Sequence, residues 1–141
     1  MRINLSETDH LEISLISRGA ANYIYDCNLL VSFTSRDKTY SQEVWVDGCE
    51  FKSFLTDLEN LNKNLKGEAA LHSDSPGEWL IKLLSVDSVG HFALQFEIGK
   101  EIWIGQETFW SKVMEAYPLD AEMLGEICAD FLDSFSEIKN A

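Results

Sequence analysis

Apolar and polar residues alternate one by one along much of this chain, and twice that rhythm gives way to a period near four. Leu11, Ile13 and Leu15 alternate with Glu12 and Ser14, the pattern of a half-buried strand. Cys27, Leu29, Val31 and Phe33 alternate in the same way up to a polar tip, Ser35-Arg36-Asp37-Lys38. Beyond it Tyr40, Gln42, Val44 and Val46 run opposite Thr39, Ser41, Glu43 and Trp45, which predicts a β-hairpin. A helix follows. Asp47 is placed to cap it, Glu50 to complete a capping box, and Val46 with Phe51 to form a hydrophobic staple. Phe51, Phe54, Leu55, Leu58 and Leu61 then recur with helical period, and Gly67 lies beyond the expected end.

The strand rhythm returns at Ala69 and Leu71 and turns at Asp74-Ser75-Pro76-Gly77. Trp79, Ile81 and Leu83 form the next strand; after Ser88-Val89-Gly90, so do Phe92, Leu94, Phe96 and Ile98. Gly99-Lys100 reads as a turn, with Ile102 and Ile104 opening another strand. Thr108 to Tyr117 reads as a strand leading into Pro118, although Phe109, Val113 and Tyr117 also fit a helix. A terminal helix starts at the cap Asp120, stapled by Leu119 and Leu124, and runs to about Glu137. Strands, helix, strands, helix is the order of an α+β fold. The expectation is a single domain over residues 1–141, a mostly antiparallel β-sheet with two amphipathic helices packed on one face.

Charge changes this picture in one place above all. Between Lys112 and Lys139 there is neither Lys nor Arg, while Glu122, Glu126, Asp130, Asp133 and Glu137 follow one another at intervals of 4, 4, 3 and 4. At roughly 100° per residue these five fall within about 80° of one another on a helix surface. Leu124, Ile127, Cys128, Phe131, Leu132, Phe135 and Ile138 take the opposite side. Like charges at helical spacing each cost about 0.2–0.5 kcal/mol, so the strip is a candidate surface for a positively charged partner. The whole chain leans the same way, with 24 acids against 11 bases and a formal charge of −13. Such a charge repels phosphates and anionic membranes, which argues against nucleic acid or membrane as partner. No apolar run approaches the roughly 20 residues of a membrane span. The three scattered cysteines, Cys27, Cys49 and Cys128, speak against a disulfide scaffold and for a reducing, cytoplasmic setting.

Catalytic chemistry has little to stand on. His10, His72 and His91 are isolated, and no HxxxH, HExxH, CxxC, GxSxG or phosphate-binding glycine pattern occurs. No metal or cofactor is expected, and the chain reads as non-catalytic. Cys49 is the most interesting thiol, because the first turn of a helix favours thiolate. Trp79, Trp103 and Trp110 are expected to pack a helix against a sheet. Trp45 lies on the polar side of its strand next to Glu43, where it would make a good anchor for a protein partner.

A hairpin ending in EVWV (Glu43–Val46), a helix FKSFLTDLENL (Phe51–Leu61), the strands GEWLIKLLS (Gly77–Ser85) and GHFALQFEIG (Gly90–Gly99), and YPLDAEML (Tyr117–Leu124) leading into an amphipathic helix form a recognisable succession. From about Leu29 to Phe135 this layout resembles the WapI-type immunity proteins of bacterial polymorphic toxin systems. The resemblance implies a small non-catalytic protein that binds and occludes one cognate toxin domain, expected to be basic. Residues that contact the toxin differ between members, so none is carried over. Two other readings remain: an acidic adaptor for another basic protein, and a small-ligand-binding domain in the curve of the sheet.

Overall fold

The computed structural model describes residues 1–18 and 26–141. The chain is α+β, with its strands divided between two four-stranded antiparallel sheets. The first holds β1 (Arg2–Asn4), β2 (Asp9–Arg18), β3 (Cys27–Ser35) and β4 (Lys38–Val46), side by side in chain order. Helix α1 (Gly48–Asn64) then leads to the second sheet: β5 (Glu68–His72), β6 (Trp79–Ser85), β7 (Phe92–Ile104) and β8 (Glu107–Leu119), again in chain order. Helix α2 (Ala121–Ser134) and a single turn, α3 (Ser136–Lys139), close the chain.

The inner faces of the sheets are the alternating rows read from the sequence. Leu29, Val31 and Phe33 of β3 are buried, as are Leu94, Phe96 and Ile98 of β7. The rows meet where Phe33 packs 4.8 Å from Phe96 and 6.5 Å from Tyr117. A polar tie runs beside this contact. Asp9 on β2 accepts from Ser35 Oγ at 2.6 Å and from Tyr117 Oη at 2.8 Å, so one carboxylate joins three strands across both sheets. The hydrogen bonds from Ser35 and then Tyr117 hold the Asp9 carboxyl below its ordinary pKa. A depressed acid stabilises the fold above its unfolded-state pKa, and that contribution is lost as pH falls through the folded value. Urea unfolding at about pH 6 and about pH 3 is therefore expected to show a smaller loss for Asp9→Asn than for the native chain. Equal losses would mean that Asp9 does not couple the sheets to pH.

Helix α1 begins as read. Glu50 N–H donates to Asp47 Oδ1 at 3.0 Å, and Val46 and Phe51 are both buried as the staple requires. Only this half of the capping box forms; the Glu50 side chain makes no return bond to the Asp47 N–H. Leu65 ends the helix in the left-handed region at φ 58, and Gly67 lies beyond that end. The helix packs on β5, and α2 packs chiefly on α1, with further contact to β8. An aromatic seam joins them: Phe54 lies edge-on to Phe131 at 5.1 Å, and Phe51 is 4.9 Å from Phe135.

Two readings need correction, and one that was left open is settled. Gly99-Lys100 is not a turn; β7 continues through it to Ile104, and the reversal is the two-residue loop Gly105-Gln106, with Gly105 at φ 64. Gly99 serves instead for close approach, since a Cβ there would lie 2.1 Å from the Gly77 carbonyl oxygen. The ambiguous stretch is strand β8, and Pro118 is tolerated because β8 is an edge. Finally, the terminal helix does not run unbroken to Glu137. Phe135, at φ −122 and ψ 32, leaves the helix so that its ring can enter the seam.

Candidate interaction surface

The acidic strip is exposed, with one member displaced. Glu122, Glu126, Asp130 and Asp133 line the solvent face of α2, and none has an ion-pair partner among the described residues. Glu137 belongs to α3 and meets Arg18 of β2 at 3.6 Å, so its charge is partly compensated. The opposite row is core: Leu124, Ile127, Cys128, Phe131, Phe135 and Ile138 are buried. Burial raises the pKa of the Cys128 thiol, whose Sγ lies 3.8 Å from the Leu58 carbonyl oxygen.

Trp45 and Glu43 share the outer face of β4, away from the strip. Trp45 is 44% exposed, and Glu43 accepts from Asn28 Nδ2 at 2.6 Å. No hydrogen bond, ion pair or ring contact connects this pair with α2 among the described residues.

The larger feature was missed in the sequence. Paired residues of antiparallel strands lie on one face, so the buried row Phe92, Leu94, Phe96, Ile98 continues on that face as Lys100, Ile102 and Ile104, with Phe109 opposite Ile102. A side chain of the first sheet reaches the main chain of β7 at Gly99, where Gln42 Nε2 donates to the Gly99 carbonyl at 2.9 Å. Beyond that crossing, β7 and β8 extend as a two-stranded arm. Ile102, Ile104 and Phe109 are exposed on one face, and Trp103, Trp110 and Met114 on the other. Trp103 is 68% and Ile104 63% exposed, so neither packs a helix against a sheet. Trp110 leans over Gly77 and under Lys112, whose Nζ is 5.7 Å from its ring. Of Trp79, Trp103 and Trp110, Trp79 alone meets the expectation of burial, at 2% exposed. The clue was available: apolar residues stand at consecutive positions 102–104 and 109–110, where a half-buried strand would alternate. Reading Gly99 as a turn hid it.

The groups that would do chemistry stay apart. Cys49 and His72 line one shallow depression of ≈ 330 Å³ beside α1, without a hydrogen bond between them. Among the described residues no three His, Cys, Asp or Glu side chains gather as a metal-binding group, and no helix is long and apolar enough to cross a membrane. Two carboxyls are pushed above their usual range. Burial does this first in both, aided in Asp74 by Asp26, Asp47 and Glu50 and in Glu78 by Glu101. Both sit among other acids. No protein-family model, curated protein or solved structure matches the chain. What the geometry offers is therefore a surface: an apolar, aromatic arm and an uncompensated acidic helix.

Proposed function

We propose that this chain is a non-catalytic immunity-type protein that binds a basic toxin domain and occludes it. The observation that carries the reading is the arm, where Ile102, Trp103, Ile104, Phe109, Trp110 and Met114 expose aliphatic and aromatic surface in a strongly acidic chain. Soluble proteins rarely leave such patches bare without a partner. Exposed tryptophans are the side chains that most often anchor a protein interface. The charge of −13 supplies the long-range attraction to a basic surface, such as the cleft of an enzyme that degrades nucleic acid. Attraction sets the association rate; the desolvated anchors set how slowly the complex parts.

The test is growth rescue. The toxin domain encoded beside this gene is expressed in a susceptible host with and without the chain. Rescue with a stable 1:1 complex supports the reading; failure, with both proteins soluble and present, removes it and leaves an adaptor for another basic protein as the better description. Within a complex, Glu126→Lys with Asp130→Lys is expected to leave the melting curve intact while weakening affinity about tenfold at low salt and flattening its salt dependence. Unchanged affinity at low salt would take α2 out of the interface.

A further inference from the structure

We infer that the free edge of β8 takes a strand from the partner: an extended segment that sets aliphatic side chains beside Phe109, Trp110, Val113 and Met114 and cations beside Glu107 and Glu115. This rests on the reading of the chain as a protein-binding module, but not on the partner being a toxin.

β8 is the outermost strand of its sheet, and among the described residues its main chain bonds nothing beyond β7. The direction of its free groups follows from one bond. Gly99 N–H donates to the Glu78 carbonyl at 3.0 Å, so it points away from β8. In an antiparallel ladder the residue opposite a group that faces away also faces away. Lys112, opposite Gly99, therefore turns its N–H and C=O to the open edge, and so do Thr108, Trp110, Met114 and Ala116 at every second position. Pro118 belongs to the same set and has no N–H to leave unpaired. The result is a row of main-chain donors and acceptors in the alternation that an added strand requires.

Exposed edges are normally shielded by charged side chains, bulges or shortness. This one is 13 residues long, and its pairing with β7 is regular throughout. Its lysine does not guard it, because Lys112 Nζ is drawn back to Glu97 at 3.7 Å and over the Trp110 ring. Charge decides the occupant. Glu107 and Glu115 stand on the same face as Phe109 and Val113, and neither has an ion-pair partner among the described residues. Opposite charges on neighbouring strands stabilise pairing, and like charges oppose it. A second copy of a chain carrying −13 is a poor occupant, and a basic segment is a good one.

The experiment uses the full chain and a capped peptide, Lys-Thr-Val-Val-Ser-Thr-Val-Val-Lys, with a control in which both lysines are glutamates. The lysine peptide is expected to bind with slowed exchange of the Thr108, Trp110, Lys112 and Met114 amides, and the glutamate peptide about tenfold more weakly. Met114→Pro with Ala116→Pro deletes two outward N–H groups without removing a bond to β7. It is expected to weaken binding about tenfold while unfolding stays cooperative. Should that variant fold poorly, Glu107→Lys with Glu115→Lys tests the same surface and is expected to reverse the preference between the peptides. The inference is overturned by absence of lysine-peptide binding to the native chain, by binding that maps to α2, by affinity unmoved in the folded variants, or by concentration-dependent dimerisation through β8. Peptide binding without growth rescue would sink the toxin reading alone; rescue without peptide binding would sink the strand-addition inference alone.

Discussion

Gly99→Ala is expected to destabilise the fold by about 3 kcal/mol, far more than a glycine in mid-strand suggests. The added methyl carbon would stand 2.1 Å from the Gly77 carbonyl oxygen, an atom of the main chain that no side-chain rotation can move aside. Gly77 is itself fixed, at φ 88 in the turn between β5 and β6, with the Trp110 ring against it. Relief requires β7 to draw away from that turn. Two bonds then suffer: Gly99 N–H to the Glu78 carbonyl at 3.0 Å, and Gln42 Nε2 to the Gly99 carbonyl at 2.9 Å. Overpacking contributes about 1–3 kcal/mol and the weakened bonds about 0.5–1.5 kcal/mol each. The opposing gain from a stiffer unfolded chain is only about 0.4–1 kcal/mol. Urea unfolding followed by tryptophan fluorescence measures the difference. Gly90→Ala is the companion variant, since Gly90 has positive φ but nothing within 4 Å of a Cβ, and it should cost about 1–2 kcal/mol. Gly99 has no positive φ, so a loss below about 1 kcal/mol in Gly99→Ala would show that the strand shifts to admit the methyl and that the close approach does not govern the site.

Phe131→Ala is expected to cost about 3–5 kcal/mol and to release α2. The Phe131 side chain is fully buried, 5.1 Å from the ring of Phe54 and 6.1 Å from that of Phe135. Its deletion opens a cavity in the seam that holds α2 against α1. Little else keeps α2 helical: it has 14 residues, a length marginal in isolation, and its solvent face carries unpaired acids that repel one another. Amide exchange in α2 should therefore accelerate more than exchange in β3 and β7. Uniform acceleration would mean that α2 and the sheets unfold as one unit. A loss below about 1 kcal/mol would show that Phe51, Phe135 and their neighbours close the gap without it.

The sequence was informative where a local rule acts alone. The caps at Asp47 and Asp120, the staples of Val46 with Phe51 and Leu119 with Leu124, and the alternation in β3, β4 and β6 all follow from nearest neighbours in the chain, and each is present. The three-residue strand β1 offers too short a pattern to recognise. Gly99 misled because a glycine freed for a turn and a glycine excluded from bearing a side chain look alike in one dimension; only the Gly77 carbonyl tells them apart. Phe135 misled in the other direction. Its helical spacing is perfect, yet aromatic packing draws its backbone out of the helix.

Of the candidate surface, the acidic face of α2 was legible because charge and helical period are both local. The exposure of Trp45 was legible too, from its polar neighbours on β4. The arm was not. Whether Ile102, Trp103, Ile104, Phe109 and Trp110 are core or surface depends on how far the first sheet extends over the second, through long-range contacts such as that of Gln42 with Gly99, residues 57 apart in the chain. By itself the sequence determined the α+β class, the antiparallel hairpins, the helix caps, the acidic face and the net charge, because each arises from residues within a few positions or from their sum. Tertiary structure alone decided the division into two sheets, the break at Phe135, the open edge of β8 and the bare aromatic arm, because each depends on which distant segment does, or does not, arrive to cover a given face.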